Sequence, residues 1–486
     1  MRFLPRIVSA YVLGVAAISA ADPAPLRIPV TCSVPGKGLA SVALYDRDGV
    51  LVRTLLAAAP VEVGKREVVW DGTDDLGRPV AAGTYSPKGI FFPTGPSLNW
   101  VMKVGKSGNP PWTTADGSGN WGGNLAHPAS ITSNGTDVVM VQGCVEDGVI
   151  TGVQQMDAEG AIKLRYHTFY PWDSRSASAM DVKNLYLGIL NWGSGLEIAE
   201  YKLGEPRGRI LTKLPSKMVK TPIGRWKYRA MNNLDGLAIT DDRIYASVAV
   251  TDELFIIERA SGKILKQVAL PKPYGVAVSN GRLLVVSDTQ VLTYSLEGER
   301  QGVLVPTGTL TAPNALCVGA DGTVYVGDSG RIAIDIEWEG GTKQIHAFSA
   351  TGKPLRRIGK AGGAPRGGRF DSTALGDITG ICIAPGGKSL MVTDVATGFQ
   401  RTSRWSLDGK LEREWFCRKL ECWSDVRNPA RPDELVKIGG AFDDELTAQA
   451  WEIDFTAKTW HPAWHYTMPF AQCWQDDVVV GFGHGG

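Results

Sequence analysis

Apolar and polar positions alternate in short runs along most of this chain, and the runs come back in order. Pro273-Tyr274-Gly275-Val276-Ala277-Val278-Ser279 and Arg282-Leu283-Leu284-Val285-Val286-Ser287-Asp288 predict two short strands, with Asn280-Gly281 as the turn between them. The outline returns at Pro313-Asn314-Ala315-Leu316-Cys317-Val318 and again at Thr323-Val324-Tyr325-Val326-Gly327-Asp328. Gly275 and Ala315 occupy matching places 40 residues apart. A four-stranded unit repeating at about 40 residues is the signature of a β-propeller blade. Matching first-strand positions fall near Ser130, Ala177, Gly236, Gly275, Ala315, Gly380 and Asp425. Second strands follow at 138–141, 185–188, 244–247, 390–393 and 435–438.

Closure can be argued from an echo. Trp100-Val101-Met102-Lys103-Val104-Gly105-Lys106 resembles Leu355-Arg356-Arg357-Ile358-Gly359-Lys360, which reads as an outer strand running into the next blade. An outer strand at the start must be completed by inner strands from the end, and 471–474 and 478–482 offer two. Eight blades are expected, with seven the next count. The ending at Gly483-His484-Gly485-Gly486 reads as a propeller incomplete at its C-terminus. Taken together the repeats resemble the NHL family of propellers over about three quarters of the chain. That resemblance implies the fold, and implies little about activity, because the family holds both binding proteins and enzymes.

Ahead of the repeats, 26–92 reads as a separate β-sandwich. Ser41-Val42-Ala43-Leu44-Tyr45 alternates, Arg47-Asp48-Gly49 turns it, and Leu51-Val52-Arg53-Thr54-Leu55 returns. Trp70-Asp71-Gly72-Thr73-Asp74-Asp75-Leu76-Gly77-Arg78-Pro79-Val80-Ala81-Ala82-Gly83-Thr84-Tyr85 resembles the immunoglobulin-like domain of the flagellar hook-capping protein family. The resemblance implies a spacer or docking module. Asp71, Asp74 and Asp75 could hold calcium, or could build a turn from their side chains with no metal. Residues 93–99 form a stiff linker, and 100–486 the propeller. The fold class expected is all-β, a sandwich followed by a propeller.

Composition narrows the functions. Fifty-one Lys and Arg against 50 Asp and Glu leave a net charge of +1, too little field to attract nucleic acid. Arg2 and Arg6, the apolar run 7–17 and Ser19-Ala20-Ala21 read as a signal peptide, 1–21, cleaved before Asp22. That run is too short to span a bilayer. An exported bacterial-type protein, periplasmic or extracellular, is expected. Of seven cysteines, Cys317 and Cys382 fall in apolar strands as small hydrophobes, while Cys417 and Cys422 are close enough to bridge. No haem-attachment motif, P-loop, nucleophile elbow or zinc-protease helix occurs, so neither haem nor nucleotide is expected.

Three groups could carry chemistry. The loops entering the first strands bring His127, Asn233, Asp235, Asn314 and Asp377 to the mouth of the channel. They resemble the metal site of gluconolactonase-like propellers, which implies Asn233, Asp235, Asn314 and Asp377 as oxygen ligands of Ca2+ or another divalent cation. The chain departs from that pattern in lacking its Glu and in reading Asn314-Ala315-Leu316. Capping of turns is the other use for such residues. The second group is the insertion 213–229, where Lys220, Arg225, Lys227 and Arg229 surround Trp226 and Tyr228. Guanidinium pairs with carboxylate or sulfate and indole stacks on a sugar face, so an acidic glycan fits, as does plain solvation. The third group is Trp451, Trp460-His461, Trp464-His465 and His484, where Pro462 argues against a helical metal pair. The expected function is a secreted binding or scaffold module for a glycan or extracellular protein. A carbohydrate lyase or cation-dependent hydrolase using the mouth is the alternative.

Overall fold

The structure is a computed structural model. It describes residues 6–8, 10–11, 26–93, 128–143, 152–167, 169, 174–191, 195–215, 220–221, 229–230, 234–330, 332–333, 336–337, 340–365, 367–396, 399–416, 424–428, 431–440, 445–457 and 459–469. The chain divides into two compact units, 1–101 and 102–486.

The first unit is a β-sandwich. Its strands are β1 (Arg6–Val8), β2 (Ala10–Tyr11), β3 (Ile28–Val34), β4 (Gly38–Tyr45), β5 (Leu51–Val61), β6 (Gly64–Trp70) and β7 (Ser86–Phe92). They pair antiparallel as β1-β7-β4-β5 and β2-β3-β6. Alternation in β3 and β4 turns Val30, Cys32, Val34, Ala40 and Val42 inward, where Val61 and Phe91 complete the core. Trp70 closes one end, with its indole nitrogen donating to Thr73 O at 2.8 Å and Tyr85 edge-on at 4.9 Å. The acidic loop that follows is built by its own side chains. Asp71 Oδ1 accepts from Thr73 N and Oγ1, Asp74 Oδ1 from Leu76 N and Arg78 N, and Asp75 from Thr54 N and Oγ1.

The second unit is a ring of six four-stranded sheets. Blade 1 is Pro128–Ser133, Val138–Gln142, Val153–Met156 and Ile162–Tyr166; blade 2 is Ser174–Met180, Asn184–Asn191, Gly195–Lys202 and Gly208–Lys213. Blade 3 is Gly236–Ile239, Arg243–Val248, Glu253–Glu258 and Ile264–Ala269; blade 4 is Pro273–Ser279, Arg282–Ser287, Gln290–Ser295 and Arg300–Val305. Blade 5 is Pro313–Val318, Val324–Asp328, Gln344–Phe348 and Pro354–Ile358; blade 6 is Asp377–Ile383, Ser389–Ala396, Phe399–Ser406 and Leu411–Phe416. First strands touch in sequence around the axis, and that of blade 6 packs on that of blade 1. Each junction has its own apolar cluster. At the closing junction Ile131, Val138, Met140, Met156 and Ile162 of blade 1 meet Cys382, Ala384, Met391 and Trp415 of blade 6.

Among the described residues the ring holds six blades, where eight or seven were expected. Blade 1 takes all four strands from consecutive chain, so the ring closes without strands donated from the C-terminus. The expected donors, 471–474 and 478–482, and the echo at 100–108 lie outside the described residues. Ser424–Asn428, expected as a further inner strand, is the edge of a five-stranded sheet in which Arg431–Gly440, Glu445–Asp454, Thr459–Pro469 and Gly367–Arg369 follow in order. That sheet joins blade 6 through an aromatic knot. Phe399 and Phe416 lie 5.1 and 5.5 Å from Trp451, and Phe370 lies 5.2 and 5.6 Å from the same two rings. Local pattern finds a strand at 424–428; only packing shows that the ring is already full.

A second repeat sits in the turn between third and fourth strands. Met156-Asp157-Ala158-Glu159-Gly160, Tyr294-Ser295-Leu296-Glu297-Gly298, Phe348-Ser349-Ala350-Thr351-Gly352 and Trp405-Ser406-Leu407-Asp408-Gly409 share one design. The Asp or Ser side chain accepts backbone amides across the turn, as when Asp157 Oδ1 takes Glu159 N and Ala161 N. The carbonyl of the next residue accepts an arginine from the preceding blade: Arg404 Nη1 to Ala158 O, Arg243 Nη1 to Leu296 O, Arg282 Nη2 to Ala350 O, and Arg356 Nη1 to Leu407 O. At the closing junction Glu159 also pairs with Arg404 and Arg413. Such exposed pairs contribute about 0–1 kcal/mol each, while each buried aliphatic contributes roughly 1.5–3. Apolar packing closes the ring, and the arginines set its register.

The turn glycine is demanded twice at Gly160. Its φ is +82°, and a Cβ there would lie 2.3 Å from the Trp415 indole nitrogen of blade 6. Gly204, in the matching turn of blade 2, has φ +85° with open space around it. Urea unfolding of Gly204→Ala is expected to show a loss of about 1–2 kcal/mol from the left-handed backbone. Gly160→Ala should lose about 1–3 kcal/mol more through overpacking of the closing junction. Equal losses in the two variants would show that this junction does not close the ring.

Candidate functional site

The six first strands wall a central channel. At the matching place in each stands a small residue: Ser130, Ala177, Gly236, Gly275, Ala315 and Gly380. The reason is close approach. A Cβ on Gly236 would lie 2.4 Å from Tyr274 O, one on Gly275 2.9 Å from Leu316 N, and one on Gly380 2.8 Å from Ile131 N. In four of these strands a register shift comes just before the small residue, and in blade 4 it spans Gly275; such shifts bend a strand. The channel holds about 400 Å³. Its wall mixes aliphatic side chains with the polar groups of Ser130, Thr132, Ser178, Asp235 and Thr379, and with Cys317 and Cys382. Ser130 and Ser178 hydrogen-bond to each other through their hydroxyls. Cys317 and Cys382 are free thiols, and burial raises both pKa values above the ordinary cysteine range, so they act as small hydrophobes.

The two faces of the ring differ in their connections. Turns between first and second strands, and between third and fourth, are two to five residues long throughout. Connections on the opposite face, here called upper, run from two residues to the 22 of 214–235. Others there are the ten of 143–152, the 15 of 329–343 and the 18 of 359–376. The upper face is also where the chain enters each first strand.

Buried polar groups gather just beneath that face, where they fix the entering loops. Asp235 lines the channel mouth. Its carboxylate accepts from Ala249 N at 2.6 Å and its own amide donates to Ser247 O. Asn314 Nδ2 donates to Ile378 O, bridging blades 5 and 6, while its Oδ1 is buried and has no hydrogen-bond partner among the described residues. Asp377 faces Lys343 Nζ at 3.5 Å. Asn314 and Asp377 are thus neighbours across one junction, whereas Asp235 stands on blade 3 with blade 4 between. Among the described residues no group of three or more His, Cys, Asp or Glu could hold a metal ion. Asn233, His127, Arg225, Trp226, Lys227 and Tyr228 lie outside the described residues. Lys220 and Arg229 fall in a two-stranded hairpin, Lys220–Thr221 against Arg229–Ala230, within the longest upper connection.

Sequence reasoning passed over the residues that do most here. Asp328 ends the second strand of blade 5, and its Oδ1 accepts from Thr311 N and Ala312 N, at 3.0 and 2.6 Å. It thereby fixes the loop entering that blade's first strand. Its Oδ2 accepts from Thr342 Oγ1 at 3.0 Å, and Thr342 Oγ1 lies 2.8 Å from His346 Nε2. Asp394 repeats the device in blade 6, accepting from Gly376 N at 2.8 Å. It also receives Arg401 through two bonds, Nε at 2.9 Å and Nη2 at 3.0 Å, with both side chains fully buried. Arg401 donates further to Ser372 O and Ala374 O. The signal was an Asp at or near the end of the second strand, at Val326-Gly327-Asp328 and Val392-Thr393-Asp394. The C-terminal histidines diverge: His461 meets Glu452 at 3.1 Å and is exposed, while His465 is buried beside Phe399.

With the site described, likeness to known proteins can be placed. Residues 31–88 match the FlgD Ig-like domain. Nothing among curated proteins matches the chain. Among solved structures the chain is similar to one from a nidogen/laminin complex, at 15% identity and a TM-score of 0.40, over 55% of this chain and 90% of that one. A streptogramin B lyase structure is similar at 13% and 0.36, over 71% and 94%. A chain from Kuenenia stuttgartiensis hydrazine synthase is similar at 13% and 0.39, over 70% and 96%. The closed ring of six sheets itself carries the propeller assignment.

Three outcomes are expected. Burial holds the pKa of His346 below 6.5, Asp328 partly opposing and Arg357 adding to the shift. The folded protein keeps this ring neutral while the unfolded chain takes a proton near pH 6.5, so stability is retained above that pH and falls below it until the folded pKa is reached. His346→Gln should flatten the stability–pH curve in that window by up to about 1.4 kcal/mol per pH unit, measured by urea unfolding. An unchanged slope would show that folding leaves the His346 pKa where it is in the unfolded chain. Arg401→Met should lose about 3–5 kcal/mol by leaving Asp394 buried beside no cation. The exposed Lys266–Glu299 pair should lose no more than about 1 kcal/mol on Lys266→Ala.

Proposed function

We propose that this protein is an exported binding or scaffold module that offers the upper face of its propeller to a glycan or protein partner. One observation carries the reading: every long connection leaves that face, while the opposite face keeps uniformly tight turns. Binding residues concentrate on variable loops held by a rigid scaffold. The engaged state of the carboxylates at the mouth supports binding over catalysis. Asp235, Asp328 and Asp394 accept backbone amides that shape the entering loops, and Asp377 faces a lysine. The insertion 213–229, with Trp226 and Tyr228 among Lys220, Arg225, Lys227 and Arg229, supplies cationic and aromatic groups suited to an acidic glycan.

Thermal unfolding of the processed protein in millimolar calcium, with and without chelator, separates binding from cation-dependent hydrolysis. No shift in Tm is expected. A rise in Tm lost in Asp235→Ala would overturn the reading in favour of a cation at the mouth, since calcium at 100 times Kd would add about 2.7 kcal/mol. On an immobilised acidic polysaccharide, Trp226→Ala should weaken retention several-fold with no turnover in either protein. Glu205→Ala, in a turn of the opposite face, should be retained as the unaltered protein is.

A further inference from the structure

In the N-terminal sandwich, residues 6–11 close a seam between the two sheets. β1 pairs with the edge of one sheet, Ile7 opposite Ile90 and Val8 opposite Gly89. β2 pairs with the edge of the other, Ala10 opposite Cys32 and Tyr11 opposite Thr31. One short segment thus closes both sheets on the same side of the module. That segment lies within the 1–21 leader. Removing it leaves β7 and β3 as open edges, with orders β7-β4-β5 and β3-β6. Val30 and Cys32 at 2% exposure and Phe91 at 6% lie in the strands that would line the opening.

The residues next in line are poor replacements. Asp22-Pro23-Ala24-Pro25-Leu26-Arg27 is all that precedes β3 in the processed chain. A two-residue turn would leave four residues, about 13 Å of strand, enough to face the start of β3 and none for β7. Pro23 and Pro25 lack the amide donors a ladder requires. An open pair of edges beside an apolar core is a site for strand addition, where main-chain bonds supply affinity and side-chain alternation supplies selectivity.

We infer that the processed module accepts an extended, proline-free apolar segment of another polypeptide, running antiparallel to β7 and β3 in the place of residues 6–11. The inference rests on the export reading, and it gives the sandwich a protein partner, since only a polypeptide presents donors and acceptors in ladder register. A partner segment need only be short, extended and rich in apolar or aromatic residues, as Ile7, Val8, Ala10 and Tyr11 are.

The test is amide hydrogen exchange on exported, processed protein whose N-terminus is fixed by intact mass. The probe is a peptide of residues 6–12, and the control is the same peptide with Val8→Pro. Fast exchange is expected at 28–34 and 86–92 in the monomer, slowed at least tenfold by the probe and unaffected by the control. Ile90→Lys, at a position 48% exposed and so tolerant of the change, should weaken peptide binding about tenfold. Slow exchange at both edges in a peptide-free monomer would overturn the proposal, because the mature chain would then fill its own seam. Protection that accompanies dimerisation alone would overturn it in favour of a second copy, and no protection by the probe would overturn it outright. Retention of 1–21 in the exported protein would refute the export reading and the open seam together. Failure on correctly processed protein would refute the seam alone.

Discussion

The structure depends on one junction, the packing of blade 6 on blade 1. Five other interfaces form between neighbours in the chain, at small cost in loop closure. This one joins residues some 250 apart, as when Gln142 Nε2 donates to Gln400 Oε1 at 3.1 Å. No strand is shared across it. Closure rests on Met140, Met156 and Ile162 meeting Cys382, Met391 and Trp415, and on a glycine that lets the Asp157–Gly160 turn lie against Trp415. Were that face left open, blades 1 and 6 would each expose an apolar sheet to water, and the channel would lose its wall.

A closed ring fixes where function can reside. The first strands converge until a Cβ at three of six matching positions would strike the backbone of the next blade. The axis is therefore rigid and narrow, with little room for moving parts. The upper connections are held at their ends by buried acceptors such as Asp328 and Asp394. The Asp394–Arg401 pair illustrates the balance. Desolvation opposes the Arg401 charge, while Asp394 and Glu414 hold its pKa above the ordinary value. Such a pair adds little net stability over a packed apolar pair, yet its four fixed bonds to Asp394, Ser372 and Ala374 specify one arrangement of the entering loop.

The candidate site was partly legible. Asp235, Asn314 and Asp377 were singled out because propeller loops enter the first strands near them; Asp235 and Asn314 stand one residue, and Asp377 three, before the small residue of their strands. Their partners were not legible. Nothing near Asp377 in sequence points to Lys343, nor near Asn314 to Ile378 O, because both contacts cross from one blade to another or span an insertion. Asp328 stood in plain view at the end of a second strand. Its role emerges only once Thr311, Ala312 and Thr342 are folded around it.

By itself the sequence determined the local repeat: first strands with a small residue at one phase, the second strands beside them, and the sandwich ahead of them. These follow from alternation, turn chemistry and steric size, which act over a few residues. The blade count was decided by tertiary structure alone. The strand at 424–428 falls at the place of another first strand and is nonetheless an edge of a different sheet. Whether a ring takes one more member depends on how well its last face fits its first, and that fit joins side chains hundreds of residues apart.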